Sequence, residues 1–196
     1  MITNLLALYA HICTGIIENS QVGVTEKTPV NAVAATGTLT VVAGGNKILN
    51  TNTVTIDTKV YTFKTVLTPT EGEVLIGAND TAALANLIFA INHTGTPDTN
   101  YKCAAVHPTV SGTSSNATTL VVTAKTKGVA GNSIATTETE AGTDKSWGAA
   151  TLAGGINGTV GIANEICADA TYLYHCIAAN TVADANWRRI SIGSVY

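Results

Sequence analysis

The sequence predicts a mainly β, α+β fold: a β-rich module with one core helix, an N-terminal amphipathic helix and a small C-terminal β-hairpin module. Three observations predict it. Short runs of alternating apolar and polar residues recur along the chain, Thr fills much of the polar quota, and one internal stretch switches to helical spacing. Only 12% of the 196 residues are charged although 45% are hydrophobic, against a usual charged share of about 25%. Such a chain has enough apolar residues to fold and unusually few charges on its surface.

The elements follow in chain order. Over Met1–Ile17 a helix would place Ile2, Leu5, Leu6, Tyr9, Ile12, Cys13, Ile16 and Ile17 on one face, the pattern of a segment that docks on something. The stretch lacks a basic leader, and Asn4, His11 and Gly15 interrupt it, so neither a signal peptide nor a membrane span is expected. Residues 18–35, with Pro29 and no sustained period, read as an extended arm. Strands are expected at Thr36–Ala43, Asn52–Asp57 and Lys59–Lys64. In the last two, Val54 and Ile56 share one face, and Tyr61 and Phe63 lie opposite Val60 and Thr62. Glu73–Ile76 is a further short strand. Asn79 or Asp80 can then cap a helix over Thr81–Asn92, whose stripe is Leu84, Leu87, Ile88 and Ile91. Lys102–Val106, Thr118–Lys125 and Ser133–Glu138 read as three more strands.

Ala153-Gly154-Gly155-Ile156-Asn157-Gly158 marks a break, giving three parts: an arm with its helix (1–35), a β-rich core module (36–156) and a small C-terminal module (157–196). The last part reads as a hairpin, Ala163–Ala168 and Tyr172–Ala178 turned at Asp169-Ala170-Thr171, plus a strand near Trp187–Ile192. So few strands bury little apolar area alone. The module should lean on the rest of the chain or on another subunit.

Chemistry is harder to find. A net charge of −3 with scattered basic residues argues against nucleic-acid binding. No paired-cysteine metal motif, calcium loop or phosphate loop is present, so no cofactor, no metal and no catalytic residue is expected and the chain is not read as an enzyme. His11, His93, His107 and His175 lie in no motif and read as structural or surface residues, His93 suiting the helix C-terminus. His175 and Cys176 point to opposite faces of one strand, and Cys103 and His107 would lie about 13 Å apart if extended. If the C-terminal hairpin is tight, Cys167 faces Tyr174 and is diagonal to Cys176, too far for an unstrained disulfide. Trp147 and Trp187 could serve as sugar platforms, although anchoring an interface is the commoner role.

The phrases VTIDTKVYTFKTVLTPTEGEVLIGANDTAALANLIFAIN, TAKTKGVAGNSI and SWGAATLAGGING, within Thr36–Gly158, resemble a module of structural proteins of tailed bacteriophages. The C-terminal stretch from Gly158, through Asp169, Tyr172, Tyr174 and Trp187, is similar to short modules of phage head-fibre, decoration and tail-fibre proteins. The resemblance implies a virion protein that forms a homo-oligomer, a trimer being one form, and contacts other virion proteins such as the major capsid protein. A capsid decoration (cement) or head-fibre protein is favoured, with a tail tube, sheath or tail-fibre component as one alternative and a host-glycan or adhesion module as another. The assembly contacts expected are Ile2, Leu5, Leu6, Tyr9, Ile12 and Ile16 on the N-terminal helix, and Tyr172, Tyr174 and Trp187 in the C-terminal module.

Overall fold

Among the described residues, alternation along the strands gives a β-rich fold with one α-helix and three sheets. The computed structural model describes residues 25–139 and 144–192. The helix expected over Met1–Ile17, with its six assembly residues, lies outside them. The described residues divide into two units: those within 33–156 form one, and residues 25–32 together with 157–192 form the other.

The larger unit holds strands β2 (Thr36–Val41), β3 (Thr53–Ile56), β4 (Lys59–Lys64), β5 (Glu73–Leu75), β6 (Tyr101–Lys102), β7 (Val110–Ser115), β8 (Thr119–Ala124), β9 (Thr136–Glu138) and β10 (Lys145–Trp147). One sheet runs β10-β2-β8-β7 and the other β6-β5-β4-β3-β9. Every pairing is antiparallel except β4 with β5. Val54 and Ile56 on β3 and Tyr61 and Phe63 on β4 are fully buried while Val60 faces out, as the alternation requires.

Helix α1 (Asp80–Asn92) begins at Asn79, whose Oδ1 accepts from the Ala82 amide at 2.9 Å, satisfying one of the free N–H groups of the first turn. Leu84, Leu87 and Ile91 are buried against both sheets, with Ile88 partly covered. Asn92 grips β7 by accepting from the Gly112 amide at 2.9 Å and donating to its carbonyl at 2.8 Å. His93 ends the helix in the left-handed conformation, φ 52°, and its ring meets the Tyr101 hydroxyl at 3.4 Å.

Thr123–Ile134 closes the larger unit where the chain enters and leaves it. Val33 and Ile156 exchange backbone hydrogen bonds, and the Gly128 amide donates to the Val33 carbonyl at 2.9 Å. Gly128 has φ 102°, a conformation that favours glycine. Gly131 is needed for a different reason: a Cβ there would meet the Cβ atoms of Ala35 and Ala124 at 2.9 Å each. It lies in a 3-10 turn over Val129–Ser133, so the strand expected from Ser133 starts only at Thr136. Asn132 ties this loop to the segment that leaves the unit. It accepts from the Gly155 amide at 2.8 Å and donates to the Gly155 carbonyl at 3.1 Å, across the loop.

The smaller unit is a four-stranded sheet ordered β1 (Thr25–Glu26), β11 (Ile166–Ala168), β12 (Tyr172–Cys176) and β13 (Trp187–Ser191). Residues 25–32 are therefore not a free connector, because β1 pairs in parallel with β11. Further on, the Thr159 amide donates to the Val30 carbonyl at 2.8 Å and the Ala32 amide to the Asp184 carbonyl at 2.9 Å. The β-rich part of the α+β expectation holds, with the arm and the C-terminal segment sharing one sheet.

Candidate assembly surface

The small sheet has two faces, and the pairing register assigns each side chain to one. Cys167 lies opposite Tyr174 and Cys176 opposite Trp187. These four buried residues, with Tyr172 packed on them, make the core of the smaller unit. Cys167 and Cys176 are free, and the register places them diagonally, a separation of about 7–8 Å that disfavours a bridge. Burial pushes the Cys167 thiol up, while Lys27 opposes it more weakly. A thiol so placed is a poor nucleophile.

Polar groups tie this inner face together. Asp169 forms the hairpin turn, its Oδ1 accepting from the Thr171 and Tyr172 amides at 2.7 and 2.8 Å. Its Oδ2 accepts from the Tyr174 hydroxyl at 2.6 Å. That hydroxyl, then the turn amides, hold the Asp169 carboxyl down at about 2, and the same bond pushes Tyr174 up. The Arg189 guanidinium stacks 4.4 Å from the Tyr172 ring centroid and the Lys27 ammonium 4.9 Å from that of Trp187, within cation–π range. Lys27 also pairs with Glu165 at 2.9 Å. The Trp187 indole N–H donates to the Thr159 carbonyl at 2.7 Å. Asn31 imitates a neighbouring strand, accepting from the Trp187 amide at 3.1 Å and donating to its carbonyl at 3.2 Å.

Of the expected contact residues, Tyr174 and Trp187 are buried within their own unit, so most of their apolar surface stabilises that unit. Tyr172 is half-buried. Trp147 is likewise covered and donates from its indole to the Thr137 carbonyl at 3.3 Å. Neither tryptophan offers the open face on which a sugar stacks.

In the larger unit, His107 and Cys103 are both buried. His107 is fully buried. Its Nε2 meets the Ile56 carbonyl at 3.1 Å and its Nδ1 accepts from the Thr109 and Val110 amides at 3.2 and 3.3 Å, so the ring is held neutral with the proton on Nε2. Burial pushes its pKa down, against the smaller opposing effect of the Ile56 carbonyl. Cys103 is buried and its thiol pushed up by desolvation. It lines an open groove of about 490 Å³ with Glu71, His93 and Lys102. Glu71 is held by Lys59 at 2.9 Å and by the Ala104 amide at 2.9 Å. Burial would raise the Glu71 carboxyl, but those bonds outweigh it and lower the pKa. Among the described residues no group of three or more His, Cys, Asp or Glu could hold a metal ion, and no helix is long and apolar enough to cross a membrane.

Comparison of the chain with protein-family models, with curated proteins and with solved structures finds no match. The surface itself must therefore carry the reading. Seven of the fifteen large aliphatics exposed among the described residues belong to the smaller unit: Val30, Val160, Ile162, Ile166, Ile177, Val182 and Ile190. Two of them, Ile166 and Ile190, lie on the outer face of its sheet, opposite the core, with Ala168 and Leu173 between them. The sequence reading missed this face because in the C-terminal module it chose Tyr172, Tyr174 and Trp187, the residues that carry the phage likeness. The signal was present in the parity of each strand: once Cys167, Tyr174 and Trp187 point inward, Ile166, Leu173 and Ile190 must point outward.

Proposed function

We propose that the chain is a non-enzymatic structural protein of a tailed-bacteriophage virion, of the capsid decoration or head-fibre class, that binds the capsid and other copies of itself. The observation that carries this reading is the small C-terminal unit. Among the described residues it has a small core of Cys167, Tyr174, Cys176 and Trp187 and a set of polar ties, yet it turns aliphatic side chains to solvent. Adjacent exposed apolar side chains rimmed by polar residues are the pattern of an interaction site. Sparse charge supports the same reading, since desolvating an unpaired charge at a permanent interface is costly whereas Thr, Ala and Val are covered at little cost. The phage-like phrases supply the setting: TAKTKGVAGNSI closes the larger unit, and Asp169, Tyr172, Tyr174 and Trp187 build the smaller one.

Cryo-microscopy of the intact particle tests the location. A decoration protein gives density at threefold or twofold positions on the capsid and none along the tail. Density confined to the tail would move the protein to a tube, sheath or tail-fibre role. A glycan-binding role has less support, because the two tryptophans that would form the platforms are buried.

A further inference from the structure

The outer face of the small sheet has an ordered distribution of charge as well as apolar surface. One row across the strands is Glu26, Ala168, Leu173 and Ile190, and the next is Ile166, His175 and Arg188. Ile190 is 68% exposed and Ile166 40%. Glu26 and Arg188 are both exposed and stand at opposite edges, on β1 and β13. An aliphatic band is thus flanked by an anion on one side and a cation on the other.

We infer that this face is an isologous interface with a second copy of the same chain. A two-fold axis parallel to the strands and lying between two such sheets places β1 of one copy over β13 of the other. Ala168 then faces Leu173 of the partner subunit, and Ile190 passes beside the edge strand that carries the partner's Glu26. Each Arg188 comes within one row of that same carboxylate. Arg188 donates from Nη1 to the Ala185 and Trp187 carbonyls at 2.9 and 3.1 Å, and the remaining N–H groups of the guanidinium fork are the ones that face that carboxylate across the usual spacing of about 10 Å. Any pairing that leaves β1 over β1 sets like charges together, so the charge pattern selects this axis. The area is modest by the standard of stable complexes, so the dimer of the free protein is a weak one whose strength depends on these few residues.

The inference rests on the assembly reading above, but its test uses purified full-length protein, so its failure is separable from that of the virion assignment. Sedimentation velocity over a concentration series should show a reversible dimer. Ile190→Asp should weaken it by about thirtyfold or more, because it sets a second carboxylate against the strand that carries the partner's Glu26. Glu26→Arg and Arg188→Glu should each weaken it, and the double variant should regain most of the loss, which a merely structural role for either residue would not produce. Circular dichroism confirms that each variant is folded. Three results would overturn the inference: a monomer at every concentration, a dimer or trimer unaffected by Ile190→Asp, or single charge reversals that the double variant fails to rescue.

Discussion

Replacing Trp187 with Ala tests whether the smaller unit stands on its own core. Trp187 is 3% exposed, donates to the Thr159 carbonyl at 2.7 Å and packs so closely on Gly161 that a Cβ there would lie 2.4 Å from the indole. A Trp side chain buries about 150–250 Å², which at about 25 cal/mol per Å² corresponds to roughly 4–6 kcal/mol as an upper bound. Measured Trp→Ala losses of about 3–5 kcal/mol agree. A sheet with so few buried side chains has little stability to lose, so Trp187→Ala should leave residues 157–192 unfolded under native conditions. Trp187→Phe keeps most of the ring but not its N–H, and should cost about 1–2 kcal/mol. Limited proteolysis gives the readout, with fluorescence of Trp147 reporting the larger unit separately. The expected result is rapid cleavage after residue 157 while residues 33–156 stay resistant and the Trp147 transition is unmoved. Equal resistance of the variant and the wild type across 157–192 would refute the reasoning.

Two further substitutions probe the larger unit. The Tyr61 hydroxyl is buried without a hydrogen-bond partner among the described residues, so Tyr61→Phe should raise stability by about 1 kcal/mol and the melting temperature by a few degrees; a loss measured by calorimetry would mean that the hydroxyl is bonded. His107 has a folded-state pKa below its ordinary value, so the unfolded chain takes up the proton first. Its contribution is then full above about pH 6.5 and is lost as pH falls from there toward the lower folded-state pKa. Urea midpoints followed from about pH 8 to pH 5 should fall over that window, and His107→Gln should flatten that part of the slope; an unchanged slope in the variant would assign the loss to other groups.

How much of this was legible in the sequence depended on how locally each element is determined. Helix α1 and its Asn79 cap, and strands β3, β4, β8 and β12, follow from periodicity and capping chemistry within a few residues, and the structure places them within one or two positions of expectation. The register that sets Cys167 opposite Tyr174 was legible only on condition of a tight turn, which Asp169 supplies by accepting from the Thr171 and Tyr172 amides. Strand β7 did not. Val110-Ser111-Gly112-Thr113-Ser114-Ser115 reads as a turn, and it is a strand because β8 pairs with it and Asn92 binds Gly112 from the helix. Strand β10 was hidden in the same way, its Lys145 being buried where it donates to Asn52 Oδ1 at 2.7 Å. The pairing of β1 with β11 joins residues more than a hundred positions apart, and nothing local announces it. The outer face of the small sheet became visible only once parity was known for all its strands.

The most direct test of the virion assignment is the composition of the particle. In density-gradient-purified tailed-phage particles produced from the genome that encodes this chain, quantitative mass spectrometry should find its peptides at a copy number comparable to that of the capsid subunits. Particles that lack those peptides, or carry them only in traces that further purification removes, would contradict the account.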